Sequence, residues 1–192
     1  MSVEPTDLEI VGFVVSPRRR FRGRPTDGPE PYEGDEHPTR IDIRAGLGVV
    51  GDRYFNAGFP YAAVTFIAEE SVGWLADRLE AGPFDPLLAR RNIVTRGLDV
   101  DALARTEFVL ESADGLARFR SITPANPCAW MNEMYAPGAH QAFRGHAGIR
   151  CEPLADASLR LGPARLVACR DLEPEELQRR VSQAAAAAQA SQ

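Results

Sequence analysis

The sequence contains no lysine, so all 22 residues counted as lysine plus arginine are arginine. Without a lysine amine the chain cannot form a Schiff base, which excludes lysine-bound pyridoxal phosphate and lysine-dependent aldolase chemistry. The Gly-Lys-Ser/Thr end of a P-loop and the phosphate-binding lysine of kinases are excluded for the same reason. Any anion that a side-chain cation binds in this protein is therefore bound by arginine or by one of the three histidines.

Long apolar runs are absent too. No run approaches the roughly 20 residues that a membrane-spanning helix needs. The first ten residues, MSVEPTDLEI, have no basic region of the kind that opens a signal peptide. We therefore expect a cytoplasmic protein without a membrane partner. The net charge of −5 and the pI near 5.3 argue against a nucleic-acid partner.

Cysteine is scarce, and its spacing matches no metal or disulfide motif. Cys128, Cys151 and Cys169 are widely separated and form neither a CxxC pair nor a zinc-ligand pattern. In a reducing compartment they are expected to be free thiols. Cys151 and Cys169 lie in apolar, strand-like runs, which favours core packing for both.

The order of apolar and turn-forming segments predicts a mainly β protein with helices, of the α+β class and with a barrel-like core. Many short strand-like runs follow one another at spacings of roughly 8 to 20 residues, with few helical patterns between them. Residues 1–170 are predicted to form one domain that contains a long loop at 16–38. Residues 171–192 are predicted to be a helical or disordered tail.

The loop at 16–38 carries separate runs of positive and negative charge. Its basic residues precede its acidic ones: Arg18, Arg19, Arg20, Arg22 and Arg24, then Asp27, Glu30, Glu33, Asp35 and Glu36. The simplest interpretation is a solvated loop that neutralises itself. The alternative is that some of these arginines face an anionic ligand, since long loops inside a domain are often functional.

Cys128 is the residue most suggestive of chemistry. It follows Asn126-Pro127 and stands where a short helix is predicted to begin. The positive end of a helix dipole lowers the pKa of a thiol and favours a thiolate, which is a nucleophile and a ligand for soft metals. The alternative is a small buried apolar side chain, the usual fate of a free cysteine.

Several arginines lie beside glycine or a tight turn, where a planar guanidinium can bind phosphate or carboxylate. The three corners are Asp52-Arg53, Arg90-Arg91-Asn92 and Arg144-Gly145-His146. Each is also compatible with an ordinary surface arginine. A catalytic arrangement of Cys128 with His140 or His146 stays open, although nothing in the sequence marks an oxyanion hole.

Taken in order, these motifs resemble the MOSC domain, named for the C-terminal part of molybdenum cofactor sulfurase. The resemblance runs from about residue 8 to 168. It is carried by GLGVVGDRY at 46–54, VTFIAEES at 64–71, RRNIVTRGLDVDAL at 90–103 and TPANPCAWMNEMYAPGAHQAFRGHAGIRCEPLADASLRLG at 123–162. It implies a twisted β-barrel-like fold with a cleft that contains one cysteine.

The resemblance also implies roles for individual residues. In characterised relatives such as the amidoxime-reducing component, the cysteine that matches Cys128 binds the molybdenum of a pterin cofactor. The pterin phosphate is held partly by an arginine and an asparagine that match Arg90 and Asn92. The predicted metal ligand and catalytic residue is thus Cys128, and the predicted cofactor-binding residues are Asp52, Arg53, Arg90, Arg91, Asn92, Arg144 and Gly145.

Two functional hypotheses follow from the resemblance, and a third stands against it. The first is a stand-alone molybdenum cofactor protein that reduces N-hydroxylated or N-oxide compounds with electrons from a separate reductase. The second is a sulfur carrier or cofactor-handling module, in which Cys128 bears a persulfide supplied by a cysteine desulfurase. The third is a β-rich ligand-binding domain whose cysteine is buried. The chain matches neither the N-terminal barrel domain of amidoxime-reducing proteins nor the pyridoxal-phosphate and iron–sulfur domains of longer relatives.

Overall fold

The computed structural model describes residues 4–190, which contain ten strands and four α-helices. The strands are β1 (Thr6–Phe13), β2 (Arg40–Arg44), β3 (Gly48–Val49), β4 (Val64–Ala68), β5 (Ile93–Arg96), β6 (Thr106–Ser112), β7 (Gly115–Pro124), β8 (Ile149–Pro153), β9 (Ala157–Arg160) and β10 (Gly162–Asp171). The helices are α1 (Glu69–Arg78), α2 (Trp130–Met134), α3 (Ala139–Ala142) and α4 (Pro174–Ala190). The outermost residues of the predicted domain and tail, 1–3 and 191–192, lie outside the described part of the chain.

Seven strands close into a barrel in the order β1-β10-β6-β7-β8-β4-β5, and β5 pairs back onto β1. Every neighbouring pair is antiparallel except β4–β5, which is parallel. Helix α1 lies in the connection between those two parallel strands, which a tight turn cannot make. The remaining strands form a separate sheet in the order β3-β2-β9.

The barrel interior is filled by side chains that alternate along the strands. Phe66, Phe108 and Phe119 meet there with ring centroids 5.0 to 5.7 Å apart. Ile43 of β2 and Leu159 of β9 belong to the same buried cluster, so the three-stranded sheet packs onto this core. A strand residue that follows an interior one points away from the core. This places Thr65 of β4, Arg118 and Arg120 of β7 and Arg150 of β8 on the outside of the barrel, whereas Ser121 of β7 is fully buried.

A second buried cluster lies where the short helices cover β4 and β5. Ile67 of β4 and Val94 of β5 contribute the strand side of this cluster. Leu75 of α1, Met131 of α2 and Phe143 just after α3 contribute the helical side. This packing fixes the segment that carries Cys128 against the outer face of the barrel.

The predicted fold class, a mainly β protein with helices and a barrel-like core, is confirmed. The short helix that is predicted to begin near Cys128 appears as α2. Among residues 4–190, no helix combines the length and the apolar character that a bilayer crossing requires. Cys151 is buried in the core, as predicted, whereas Cys169 is only partly buried.

Candidate functional site

Cys128 is exposed and stands on the segment that joins β7 to α2. This segment is anchored where the backbone N–H of Ala125 donates to the carbonyl of Gly148 at 2.7 Å. The carbonyl of Cys128 accepts from Met131 at 2.9 Å, which forms the first turn before the helix. The hypothesis of a buried cysteine is therefore wrong. Helix α2 is only five residues long, so its dipole is smaller than the sequence argument assumed.

Arg91 lies beside Cys128, close enough for the two charges to interact. The pKa of Arg91 is lowered from 12.5 to about 10, chiefly by burial and also by repulsion from Arg150, while a Cys128 thiolate acts to raise it. The Nε–H of Arg91 donates to the carbonyl of Ala147 at 3.0 Å, and one terminal nitrogen lies 3.5 Å from the carbonyl of Ala89. These contacts orient the guanidinium. Among the described residues, no carboxylate forms an ion pair with it.

Arg150 is a site residue that the sequence motifs did not predict. It stands between Ile149 and Cys151 on β8, both fully buried, so its side chain points to the outside of the barrel. Its Cα partners are Thr65 on β4 and Thr123 on β7. Strand β7 leads to Cys128, and Thr65 contacts the segment that carries Arg91. Arg150 therefore lies between Cys128 and Arg91. The signal in the sequence was one arginine between two apolar residues of a strand, which is indistinguishable from a surface position until the strand pairing is known.

Asn92 and Asp52 are buried and hold backbone segments together. The side-chain oxygen of Asn92 accepts from the N–H and hydroxyl of Thr65 at 3.0 and 2.9 Å. Its amide nitrogen donates to Asp52 at 3.2 Å. Asp52 in turn accepts from the backbone N–H groups of Ser16 and Tyr54 at 3.2 and 2.9 Å. These two predicted residues therefore fix the loops around the site, and a direct contact with a cofactor stays a prediction.

The guanidinium of Arg90 is bound to the carboxylate of Glu36. Two hydrogen bonds of 3.0 and 2.9 Å join the two groups, and Arg20 adds a third donor at 2.8 Å. Burial alone would raise the pKa of Glu36, but hydrogen bonds from Arg90, Ser16 and Arg20 outweigh it and lower the value from 4.5 to about 2. Arg90 has a φ of 55°, so the chain turns sharply there and directs the next residue, Arg91, to the other side.

The long loop at 16–38 is attached to the site by an aromatic stack. The ring of Phe21 lies 4.8 Å from that of Trp130 in α2, with the two planes 5° apart. Within the described part of this loop, the one pair of opposite charges within 4 Å is Arg20 with Glu36. The arginines and acids of the loop therefore do not neutralise one another through a set of direct ion pairs. Four arginines of the loop are exposed: Arg18, Arg19, Arg22 and Arg24.

The remaining predicted residues are divided between two places. Arg53 stacks on the ring of Tyr54 at 4.6 Å. Tyr54 is in turn close enough to Arg91 to raise the pKa of that arginine. Arg144 is exposed, and Gly145 lines an open cavity of about 480 Å³ beside Trp74 of α1.

Neither of the two histidines near Cys128 in sequence is bonded to that cysteine among the described residues. The ring of His146 lies 4.1 Å from that of Trp74. The backbone N–H of His140 donates to Asn132 at 2.8 Å. Within residues 4–190, neither histidine forms a hydrogen bond with Cys128, and no group of three or more His, Cys, Asp or Glu side chains is placed to bind a metal.

Comparison with known proteins gives the same fold. The model of the MOSC domain matches residues 53–168. The crystal structure of YuaD from Bacillus subtilis superposes with a TM-score of 0.66 at 13% identity, covering 88% of this chain and 99% of that one. YiiM from Escherichia coli gives 0.54 at 16% identity, with 88% and 75% covered. YiiM from Geobacillus stearothermophilus gives 0.55 at 17%, with 83% and 75% covered. No curated protein sequence matches this chain significantly. At these identities the solved structures support the fold alone.

Proposed function

The chain belongs to the MOSC domain family, and from that premise we propose that it binds molybdenum cofactor through the thiolate of Cys128. The observation that carries the proposal is the exposed Cys128 beside Arg91, a cation that no described carboxylate neutralises. A thiolate suits a soft metal centre, and an unpaired guanidinium suits the anionic group of such a cofactor. The donor set therefore fits the group that the family implies.

Each residue of the site has a distinct task in this proposal. Cys128 supplies the protein ligand to the metal, and Arg91 attracts and orients the anionic end of the cofactor. Asn92, Asp52 and Glu36 hold the backbone that presents Arg91. When bound, the cofactor supplies the two-electron redox chemistry that this chain's own side chains lack.

The proposed reaction is the reduction of N-hydroxylated or N-oxide compounds. Breaking one N–O bond takes two electrons and two protons and releases water, and the electrons come from a separate reductase. The position of Cys128 at the surface supports this proposal, because both a substrate and a partner protein can reach it.

Metal and pterin analysis of the purified full-length protein tests the cofactor proposal. Protein made in cells that synthesise the cofactor is expected to contain molybdenum, and Cys128→Ser is expected to lose it. Cys169→Ser is the matched control, since Cys169 is a free thiol on a different strand, β10. Absence of molybdenum from the wild type, or equal molybdenum in Cys128→Ser, would overturn the proposal.

A second candidate, a persulfide carrier, is favoured by the same exposure of Cys128, because a sulfur donor protein must reach the accepting thiol. Incubation with a cysteine desulfurase and cysteine is expected to add the mass of one sulfur atom, and Cys128→Ala is expected to abolish the addition. An unchanged mass in the wild type would count against this candidate.

A further inference from the structure

We propose that the open cavity beside Trp74 of α1 binds an organic cation that carries N–H donors, such as an alkylguanidinium. The cavity has a volume of about 480 Å³, and its walls include the ring of Trp74 and the carboxylates of Glu70, Asp99 and Asp101. Cys128 is not one of the residues that line it. The site therefore goes beyond the proposed function and does not depend on it.

The cavity lies at the carboxyl ends of the two parallel strands. Ala68, the last residue of β4, and Gly97, the residue directly after β5, both line it. Ligands of parallel β–α–β units commonly bind outside this end of the strands, because the connections that leave the strands diverge there. The one parallel pair of the barrel thus provides a concave surface that the antiparallel hairpins do not.

The carboxylates decide which ligand charge the cavity favours. Among residues 4–190, none of the three lies within 4 Å of an arginine or histidine nitrogen. Glu70 accepts from the backbone N–H of Gly97 at 2.6 Å, and Asp99 accepts from that of Ala102 at 3.2 Å. Each bond orients one carboxylate oxygen, and the other oxygen has the capacity to accept from a ligand.

Asp101 is the innermost of the three acids and is fixed from two sides. It accepts from the backbone N–H of Gly148 at 2.9 Å and from the hydroxyl of Ser71 at 3.2 Å. Burial is the main cause that raises the pKa of Asp101 above its usual value, and the nearby carboxylate of Asp99 adds to this effect. A cation bound between these acids would stabilise the ionised form of both.

Trp74 supplies an aromatic wall opposite this charge. Its side chain stays 39% exposed although it lies in the middle of α1. The ring of His146 lies 4.1 Å from the indole and limits its movement. A cation is attracted to the face of an indole, and a planar guanidinium can also stack on it while its N–H groups reach a carboxylate. The combination of ring and acids therefore suits an organic cation better than a neutral ligand.

The beginning of α1 does not turn this preference towards an anion. The free N–H groups of a helix N-terminus would by themselves attract negative charge. Glu69 and Glu70 already stand in the first turn of this helix and supply that charge. A further anion at the cavity would be repelled by the same carboxylates.

Titration of the full-length protein with n-butylguanidinium chloride tests the proposal. The neutral probe n-butylurea has nearly the same shape and is expected to bind about tenfold more weakly, since it lacks the charge. The titration is made near pH 8, where histidine side chains are ordinarily neutral. Tryptophan fluorescence reports binding, because the cation stacks on the exposed ring of Trp74.

Two variants remove one charge each and keep the hydrogen bond to the backbone. Glu70→Gln and Asp99→Asn are each expected to weaken binding of n-butylguanidinium about fivefold, as loss of one charge at contact distance in water predicts. Asp77→Asn is the matched control, because Asp77 is an exposed acid of α1 that does not line the cavity. Its affinity is expected to equal that of the wild type. Thermal unfolding shows whether each variant is folded.

Trp74→Leu identifies the source of the signal. It is expected to abolish the fluorescence change, since the other tryptophan, Trp130, is buried and stacked on Phe21. Calorimetry of the same variant is expected to show affinity reduced about threefold, the contribution of the cation–ring contact. A fluorescence change that persists in Trp74→Leu would place the probe elsewhere and overturn the proposal.

Two further results would overturn the proposal. One is equal affinity of the wild type for n-butylguanidinium and n-butylurea. The other is wild-type affinity for n-butylguanidinium in both Glu70→Gln and Asp99→Asn. Cys128→Ser is expected to bind the probe as the wild type does, and Glu70→Gln is expected to contain as much molybdenum as the wild type. The cation site and the cofactor proposal can therefore fail separately.

Discussion

Gly148 shows how one residue without a side chain keeps the Cys128 segment in place. A Cβ at this position would overlap the carbonyl oxygen of Phe66, and the residue has a φ of 83°. Its N–H donates to Asp101 at 2.9 Å, and its carbonyl accepts from Ala125 on the segment that leads to Cys128. No other residue type combines this conformation with so close an approach.

Replacing Gly148 with alanine is expected to destabilise the protein strongly. The backbone overlap should lower the free energy of unfolding by about 3 kcal/mol or more, because neither backbone can move freely. Gly145→Ala is the matched control, since Gly145 has the same φ of 83° but open space around it. Its cost should be about 1 kcal/mol, the conformational strain alone. Urea denaturation of both variants measures the difference, and equal losses would show that the overlap is relieved at no cost.

Glu36 is the residue on which the stability should depend most at acid pH. Its pKa is lowered from 4.5 to about 2, so it contributes about 3 kcal/mol to the free energy of unfolding when it is ionised. Because the folded pKa is the lower one, this contribution is complete above pH 4.5. It is lost as the pH falls from 4.5 towards 2.

The variant Glu36→Gln is expected to be about 3 kcal/mol less stable than the wild type at pH 7, since Arg90 and Arg20 lose their counter-charge. It should also lack the part of the acid dependence that arises between pH 4.5 and 2. Glu33→Gln, a change of an exposed carboxyl in the same loop, is the control and should behave as the wild type does. A variant as stable as the wild type, with an unchanged pH profile, would contradict the role of this carboxylate.

At the scale of elements, the middle of the loop at 16–38 is held to α2 by one aromatic stack, while its end is held by the pairing of Glu36 with Arg90. Phe21 stacks on Trp130 at 4.8 Å, and the guanidinium of Arg90 lies 5.6 Å from the same ring. The loop has no strand partner and one short 3₁₀ turn at Pro25–Asp27. Local opening of such a segment should therefore depend on the stack.

Phe21→Ala is expected to make the loop more sensitive to trypsin, about tenfold, while the barrel stays folded. Trypsin is a selective probe because the chain contains no lysine, and arginines are concentrated in this loop. Phe59→Ala is the control, because Phe59 contacts Tyr61 in a different loop. If the cleavage rate at Arg18, Arg19 and Arg22 is the same in Phe21→Ala and in the wild type, the stack does not hold the loop.

Individual elements were largely predictable because their signals are local. Alternating residues on both sides of Ala113-Asp114-Gly115 indicate a hairpin, and β6 and β7 pair from Ser112 and Gly115 outward. The apolar spacing of α1 and the acids in its first turn likewise indicate a helix. The short length of α2, which weakens its dipole at Cys128, was not predictable. The packing of Trp130 and Met131 against the barrel decides how many residues after Cys128 are helical.

For the whole molecule, α4 is predicted to be an addition to a barrel that is already complete. Leu172 is the last buried apolar residue among those whose burial is described, and α4 follows from Pro174 to Ala190. Arg170 joins the helix to the barrel through Glu176 at 3.3 Å and also contacts Glu107 at 2.8 Å. Such exposed ion pairs contribute little to stability.

A chain that ends at Leu172 is therefore expected to unfold in one cooperative transition and to lose about 1 kcal/mol relative to the full chain. The reactivity of Cys128 should be unchanged, since α4 packs mainly against β7 among the described elements and not against α2, which follows Cys128. Thermal unfolding and alkylation rates measure both quantities. An unfolded truncated chain, or a second transition in the full chain, would contradict this division of the molecule.

The sequence by itself determined which side chains were available for chemistry. Its lack of lysine leaves arginine as the main cation for an anionic ligand, and Cys128 stood apart from Cys151 and Cys169 by its position in a Pro-rich segment. The motifs around these residues were enough to identify the family and the fold class. These features are local, so each could be recognised from neighbouring residues in the chain.

Only the tertiary structure decided which arginines meet at the site. Glu36 takes up the guanidinium of Arg90 although 54 residues separate them, and it thereby leaves Arg91 as the cation beside Cys128. Arg150 joins Arg91 because β8 pairs with both β4 and β7. Pairing between strands distant in sequence depends on how the whole barrel closes, and no local pattern in one sequence specifies that closure.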